Sequence, residues 1–243
     1  MRTDGDAITA RPVLGVLYDI HGNLPALEAV VADARAQRVR GFLLGGDYAL
    51  FGGWPEETLR RLHELEATWI RGNGERWTAE PGDAPGDELV QDAIAACRSS
   101  LHPEDVGELG ALPAEAVLEG ARYCHGSPVS DVRSFWPQPG PDEAELLEGV
   151  TETRLVFGHT HLPFRRLSLK GAAPIELVNP GSVGMPFDGD PRAAYAIVHA
   201  DSRVEHRRVA YDHAASAARV REAFDGPWTD VVARRIEQAR FDV

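Results

Sequence analysis

Seven residues of metal-binding type stand in this chain at spacings that suit shared ions: Asp19, His21, Asp47, Asn73, His125, His159 and His161. Asp19-Ile20-His21 and His159-Thr160-His161 are i, i+2 pairs. In an extended segment or a tight turn, such a pair reaches one ion together or hands one group to each of two ions. Carboxylate, imidazole and amide oxygen make a mixed donor set suited to Mn, Fe, Zn, Co or Ni, and no soft thiolate site is offered. Small residues flank the set, with Gly46 and Gly72 among them; glycine permits the tight turns and close backbone approach that crowded ligands require.

These side chains need elements to position them. Residues 13–18 form a short apolar run ending at Asp19, which reads as a buried strand. After Asn23, Leu27, Val30, Val31 and Ala34 follow the i, i+3, i+4, i+7 spacing of an amphipathic helix, and Pro25 suits its first turn. Residues 42–44 predict a second strand before Asp47, 56–66 a helix, and 68–71 a third strand before Asn73. This βαβ rhythm makes the first third α/β. Residues 78–86 are rich in Pro, Gly and acid and predict a loop. With the helical composition of 87–112 they predict an insertion over about 78–112 that covers one edge of the core and restricts substrate access. Short strands follow at 116–118, 122–125, 155–157, 164–169, 175–178, 194–198 and 204–209, interrupted by a helix at 142–148. Turn residues between them suggest antiparallel pairing. A helical extension runs from about 212 to 240, broken near Gly226-Pro227. Each candidate ligand thus follows a strand, and ligand groups collect beyond the carboxyl ends of strands in α/β sheets. Five strand ends are expected to deliver seven side chains to one rim.

Bulk properties set outer bounds. The 243 residues suit one domain with an inserted lobe, and 43% hydrophobic content suffices for a sizeable core. A net charge of -13 argues against a surface that coats nucleic acid, so no stable nucleic-acid complex is expected. A nucleotide-like substrate stays open, because bound metal reverses the local sign. Two cysteines offer no disulfide framework and fit a reducing compartment. The first twelve residues do not read as a secretion signal, and no run approaches the ~18 apolar residues of a membrane span. A cytoplasmic protein without membrane contact is expected, and a homo-oligomer is compatible with the sequence.

In motif order the chain resembles the calcineurin-like metallophosphoesterase family: D-x-H-G-N (Asp19 to Asn23), G-G-D (Gly45 to Asp47), G-N-x-E (Gly72 to Glu75), H-G (His125, Gly126) and G-H-x-H (Gly158 to His161). H-G-S-P (His125 to Pro128) and N-P-G-S-V-G (Asn179 to Gly184) are similar to the small bacterial and archaeal phosphodiesterase branch. The resemblance implies a single domain over 1–243, folded as a four-layer α/β/β/α sandwich of two mixed sheets. It implies two divalent ions, manganese first, with Fe, Zn, Ni or Co as alternatives. Asp19, His21 and His161 would hold one ion, Asn73, His125 and His159 the other, and Asp47 would bridge them. Asp47, Asn73 and His125 are the candidate catalytic residues, around a hydroxide between the ions that attacks a phosphate ester. Two divalent ions offset by Asp19, Asp47 and that hydroxide leave one positive charge for the substrate; neutral Asn73 preserves it.

The resemblance departs at Gly74, where many relatives, notably protein phosphatases, carry a histidine that assists the leaving group. Its absence counts against poor, unactivated leaving groups and favours a phosphodiesterase on a small or nucleotide-like substrate. A phosphomonoesterase or protein phosphatase is the alternative, and a non-catalytic protein-binding scaffold the third reading. A mononuclear zinc hydrolase of the H-x-H-x-D-H kind is disfavoured, since Leu162-Pro163 follows His161. Glu75 is expected to orient a neighbouring ligand. Arg76 and Asn23 are the candidate substrate-binding residues, with a helix cap as the competing role for Asn23. Asn179 to Ser182 reads as a turn or as part of the pocket rim. Trp77 and Trp136 read as core before cleft lining, and Cys124 as core. His63, His102, His199, His206 and His213 read as surface or hydrogen-bonded residues.

Overall fold

The computed structural model describes residues 13–171 and 173–243; the expectation about the first twelve residues lies outside them. Side-chain alternation along β1 (Leu14–Leu17) sets the layering. Leu17 faces α1 (Leu24–Ala36) and packs with Leu27, Val30 and Val31. Val16 and Tyr18 face the other way, into a second sheet, and share a core with Tyr123, Val156 and Val178. In register, Val16 pairs with Leu43 on one side and Ala196 on the other, so the core between the sheets is continuous.

The first sheet has the order β10-β9-β1-β2-β3. β1, β2 (Gly41–Leu44) and β3 (Ala67–Trp69) are parallel, joined through α1 and α2 (Pro55–His63), whereas β9 (Ala193–Val198) and β10 (Val204–Val209) are antiparallel. The second sheet has the order β4-β5-β6-β8-β7. Here the antiparallel expectation needs correction. β4 (Glu115–Leu118) and β7 (Phe164–Ser168) do pair antiparallel at the edges, but β5 (Ala121–Cys124), β6 (Arg154–Val156) and β8 (Ile175–Asn179) are parallel to one another. The stretch holding α6 (Glu143–Leu146) is long enough to carry the chain back to the start of β6, as a parallel crossover demands.

The outer face of the second sheet is covered by Phe135, Leu146 and Leu147 over Cys124, Leu155, Phe157 and Leu177. Helices outside both sheets complete the α/β/β/α layering. α3 (Asn73–Ala79) leads into the stretch expected as an insertion, and with α4 (Glu88–Ser99) and α5 (Pro103–Gly110) inside that stretch it packs beside the first sheet. The C-terminal α7 (His213–Ala223) and α8 (Pro227–Gln238) pack on each other, and α8 also contacts α4. Among the described residues, no helix is long and apolar enough to cross a membrane.

Candidate metal centre

The parallel strands of both sheets end on the same side. The turn after β1 carries Asp19 and His21, the turn after β2 carries Asp47, and Asn73 opens α3 just beyond β3. From the second sheet, His125 follows β5, and His159 and His161 follow β6. Backbone bonds lock the turns together: Asp19 N donates to Gly46 O at 3.1 Å, and His21 N to Asp47 O at 2.8 Å. Asp19, His21, Asp47, His159 and His161 all hold positive φ, between 48° and 65°. They make up five of the ten described non-glycine residues in that region, so backbone strain is concentrated at this rim. Gly46 (φ 97°) is needed for close approach, because a Cβ there would stand 2.6 Å from Gly72 N and 2.8 Å from His125 Nδ1.

Two groups of donor atoms converge. Asp19, His21 and His161 offer atoms within 4.8 Å of one another, and so do Asp19, Asp47 and His125. Asp47 faces both groups, with Oδ2 3.8 Å from His21 Nε2 and Oδ1 3.5 Å from His125 Nε2. The Asn73 amide turns one polar atom toward His125 Nε2 (3.0 Å) and His159 Nδ1 (2.9 Å). With nitrogen in that place the amide donates to both rings; with oxygen there it joins them in facing a common point, the orientation a cation selects.

The remaining polar atoms fix the ligand geometry. His21 Nδ1 lies 2.9 Å from Leu50 O, His125 Nδ1 2.9 Å from Gly45 O, and His161 Nδ1 2.5 Å from Met185 O. Committing Nδ1–H to a carbonyl leaves Nε2 as the ligating atom. Asp19 is fully buried, its Oδ2 accepts from His159 N at 3.1 Å, and its Oδ1 has no hydrogen-bond partner. Burial and the neighbouring Asp47 push the Asp19 carboxyl up, with His125 opposing. Burial would raise Asp47 too, but His125, His21 and His159 hold it well below the usual carboxylate range. Burial would lower His125; the two carboxylates outweigh it and push it up to about 10. Burial pulls His21 and His161 down, and His159 to about 4. The cluster is therefore a buried acidic pair bordered by the neutral imidazoles of His21, His159 and His161 and by the raised His125, with an unsatisfied carboxylate oxygen at its centre. These residues fit divalent metal, which satisfies the stranded oxygen and the facing rings together.

The surroundings explain the rest of the motif set. Glu75 is buried; its Oε2 accepts from Asp47 N and Gly72 N, both at 2.8 Å, and its Oε1 from Tyr48 N at 2.7 Å. It thus pins the backbone at Asp47, Tyr48 and Gly72, the residue before Asn73. Asn179 Nδ2 donates to Gly158 O and Thr160 Oγ1, while Ser182 Oγ donates to Asp19 O at 2.7 Å. The Asn179–Gly184 turn is therefore a clamp on the loops that carry Asp19 and His159.

Two expected substrate contacts need correction. Asn23 is buried with both amide atoms engaged: Oδ1 accepts from Ala26 N and Ser216 Oγ, and Nδ2 donates to Gly184 O and Tyr211 Oη. It caps α1 and ties it to the C-terminal helices, leaving no atom for a substrate. Arg76 donates to both Asp131 oxygens, at 2.7 and 2.8 Å, and to Asp83 at 3.3 Å. Those ion pairs hold the loop after β5 against α3, and Arg76 does not line the cavity above the ligands.

Residues 13–203 match the family model described as the calcineurin-like phosphoesterase superfamily domain. The chain belongs to that superfamily. The crystal structure of a metallophosphoesterase from Sphaerobacter thermophilus is similar at a TM-score of 0.79 and 28% identity, over 94% of this chain and 99% of that one. A hypothetical protein from Pyrococcus horikoshii shares the fold at a TM-score of 0.77 and 19% identity, over 91% and 98% of the two chains. An uncharacterized protein of Methanocaldococcus jannaschii is 27% identical over 220 residues, covering 83% of this chain and 89% of its own. This calcineurin-like phosphoesterase thus comes from a family of metal-using phosphoester hydrolases.

A cavity of about 760 Å³ opens above the ligand cluster. Most of its walls carry no signal in the sequence. Phe51, Phe187, Arg235 and Phe241 line it with no motif to mark them, and Trp136, read as core, faces it from the loop after β5. Trp77, Leu89 and Val90 from the 78–112 region and its border complete one side. Cys124 and Trp228 are buried in the cores, Trp228 also reaching the cavity.

Proposed function

We propose that the protein is a metal-dependent phosphodiesterase working with two divalent ions, manganese first among those the donor set accepts. The observation that carries this reading is the placement of Asp47, one carboxylate oxygen toward His21 and the other toward His125. That placement suits a bridge between an ion held by Asp19, His21 and His161 and one held by Asn73, His125 and His159. When bound, such ions supply Lewis acidity at phosphorus and acidify the attacking water.

The chain's own residues do the rest. Nδ1–carbonyl bonds aim His21, His125 and His161 so that Nε2 needs no reorientation on binding. Glu75 fixes the Asp47 and Asn73 turns in relation to each other. Neutral Asn73 adds a donor oxygen without cancelling positive charge needed by an anionic substrate. Gly74 offers no side chain to protonate a departing oxygen, which favours leaving groups that depart without help. A small phosphate diester, of nucleotide size or below, suits the cavity.

The test is a screen of metal-stripped protein reloaded with Mn, Ni, Zn or Fe. Hydrolysis of bis-p-nitrophenyl phosphate, p-nitrophenyl phosphate and cyclic nucleotides is compared. The reading expects diester turnover above monoester turnover with at least one metal. Monoester preference would make the protein a phosphomonoesterase, and two bound ions with no turnover would make it a scaffold.

A further inference from the structure

Most of the cavity above the ligand cluster is not needed by phosphate. At about 760 Å³ it matches sites for small organic ligands, roughly 300–1,000 Å³. Metal-ligand side chains form its floor, and its walls are largely aromatic and aliphatic. Trp136 is 56% exposed and Phe241 61%; among the described residues they are the two aromatics in the exposed large hydrophobic set, and both face this cavity. Phe187 stacks flat on His161 at 4.3 Å and meets Phe241 edge-on at 5.4 Å, so the ring surface runs from a candidate ligand to the cavity mouth. Exposed aromatic surface gathered beside a charged site marks a place where an apolar group is received.

One cation stands in that wall. Arg235 of α8 lies over the Phe241 ring, its Cζ 4.1 Å from the centroid, and its Nε donates to Phe241 O at 3.0 Å. Arg76, Arg207 and Arg221 each grip carboxylates, but no carboxylate among the described residues forms an ion pair with Arg235. Arg235 lines the same cavity as His21, Asp47 and His161. A half-buried guanidinium without a carboxylate, facing an anion-binding floor, is arranged to take an anionic oxygen in its fork.

We propose that the cavity selects phosphate diesters whose retained substituent is a flat apolar ring. The ring lies against Trp136, Phe187 and Phe241, and Arg235 holds an oxygen of the ester. Arg235 is a binding residue that the first-described family match, ending at residue 203, does not include. The inference rests on the phosphoesterase reading for its floor.

The test separates the two. In Mn-loaded full-length protein, calorimetry compares phenylphosphonate with methylphosphonate, which share an anionic head and are not hydrolysed. Phenylphosphonate should bind about tenfold tighter, the worth of one ring face covered. Trp136→Ala and Phe241→Ala, both at exposed positions, should shrink that preference, and Arg235→Gln should weaken both ligands while metal content stays unchanged. Equal affinity for the two phosphonates, or a preference that survives both aromatic substitutions, overturns the proposal. Turnover of methyl and phenyl p-nitrophenyl phosphate is measured beside it. Equal turnover with equal binding leaves a phosphodiesterase without ring selection, whereas loss of all turnover with ring preference intact strikes the catalytic reading alone.

Discussion

The Nε2 atoms of His21 and His161 stand 3.1 Å apart, while each ring's Nδ1 is committed to a backbone carbonyl. Burial holds both rings neutral, so two lone pairs face each other in the interior. A shared cation turns that repulsion into coordination. His161→Ala should remove one ion per chain and lower diester turnover at least about 100-fold, the upper end of what loss of a partner that merely supports a ligand costs. The metal-free variant should be no less stable than the metal-free parent, because the facing pair is relieved. Metal analysis and thermal unfolding in chelator check both halves; an unchanged metal count would remove His161 from the ligand set.

Asn73→Asp tests the charge argument. The aspartate should still bind metal, yet it cancels the surplus positive charge and adds repulsion toward an anionic ester. Turnover is expected to fall at least about tenfold with metal content unchanged, a difference of about 1.4 kcal/mol in the barrier. Full turnover in the variant would show that the charge count does not govern the rate.

Gly74 donates its amide to Asp47 Oδ1 at 2.7 Å, and a Cβ at that position would stand 2.8 Å from the same oxygen. The space beside Gly74 is thus closed by the carboxylate that faces both ligand groups. Gly74→Ala should displace Asp47 and weaken metal binding at least about tenfold, or about 1.4 kcal/mol. Titration with a competing chelator reads this out. Glu75→Gln replaces a buried carboxylate that accepts three N–H bonds, and should cost about 2–3 kcal/mol in chemical denaturation, since bonds to a charged group are lost and one donor is left opposed.

Asp33 ties α1 to the sheet: its oxygens accept from Arg207 Nε at 2.7 Å, Arg207 Nη2 at 2.9 Å and Tyr195 Oη at 2.6 Å. The hydrogen bond from Arg207 holds its carboxyl below the usual range. A depressed folded-state pKa means that this contribution is complete above the unfolded value of about 3.9 and fades as pH falls through the folded one. Asp33→Asn should therefore reduce stability at pH 7 and narrow the gap to the parent as pH drops toward 3. A gap that widens on acidification would show that the ion pair is not the source.

That seven candidate ligands gather at one rim was legible because each sits beside a strand whose apolar run and following turn are local signals. β1, α1 and β2 fall where periodicity places them, within a residue or two at their ends. What failed was direction. Asn23 and Arg76 are neighbours in sequence of His21 and Asn73, yet helix capping and the Asp131 pair turn them away from the cavity. Parallel pairing of β5, β6 and β8 was hidden because strand direction depends on crossovers, and short strands with polar turns look alike in either sense. Phe187, Arg235 and Phe241 carry no spacing that marks them. Arg235 and Phe241 stand above the cluster because of how the C-terminal helices pack on the first half of the chain, and Phe187 because of the loop between β8 and β9, which no local pattern encodes.

The central claim is that Asp47 joins two metal sites that work together. Metal-stripped protein should be titrated with Mn while bound metal per chain and bis-p-nitrophenyl phosphate hydrolysis are followed in the same samples. The account predicts saturation at about two ions per chain, with activity rising as the second site fills. Full activity at one ion per chain, or two bound ions without hydrolysis of any phosphate ester, would contradict it.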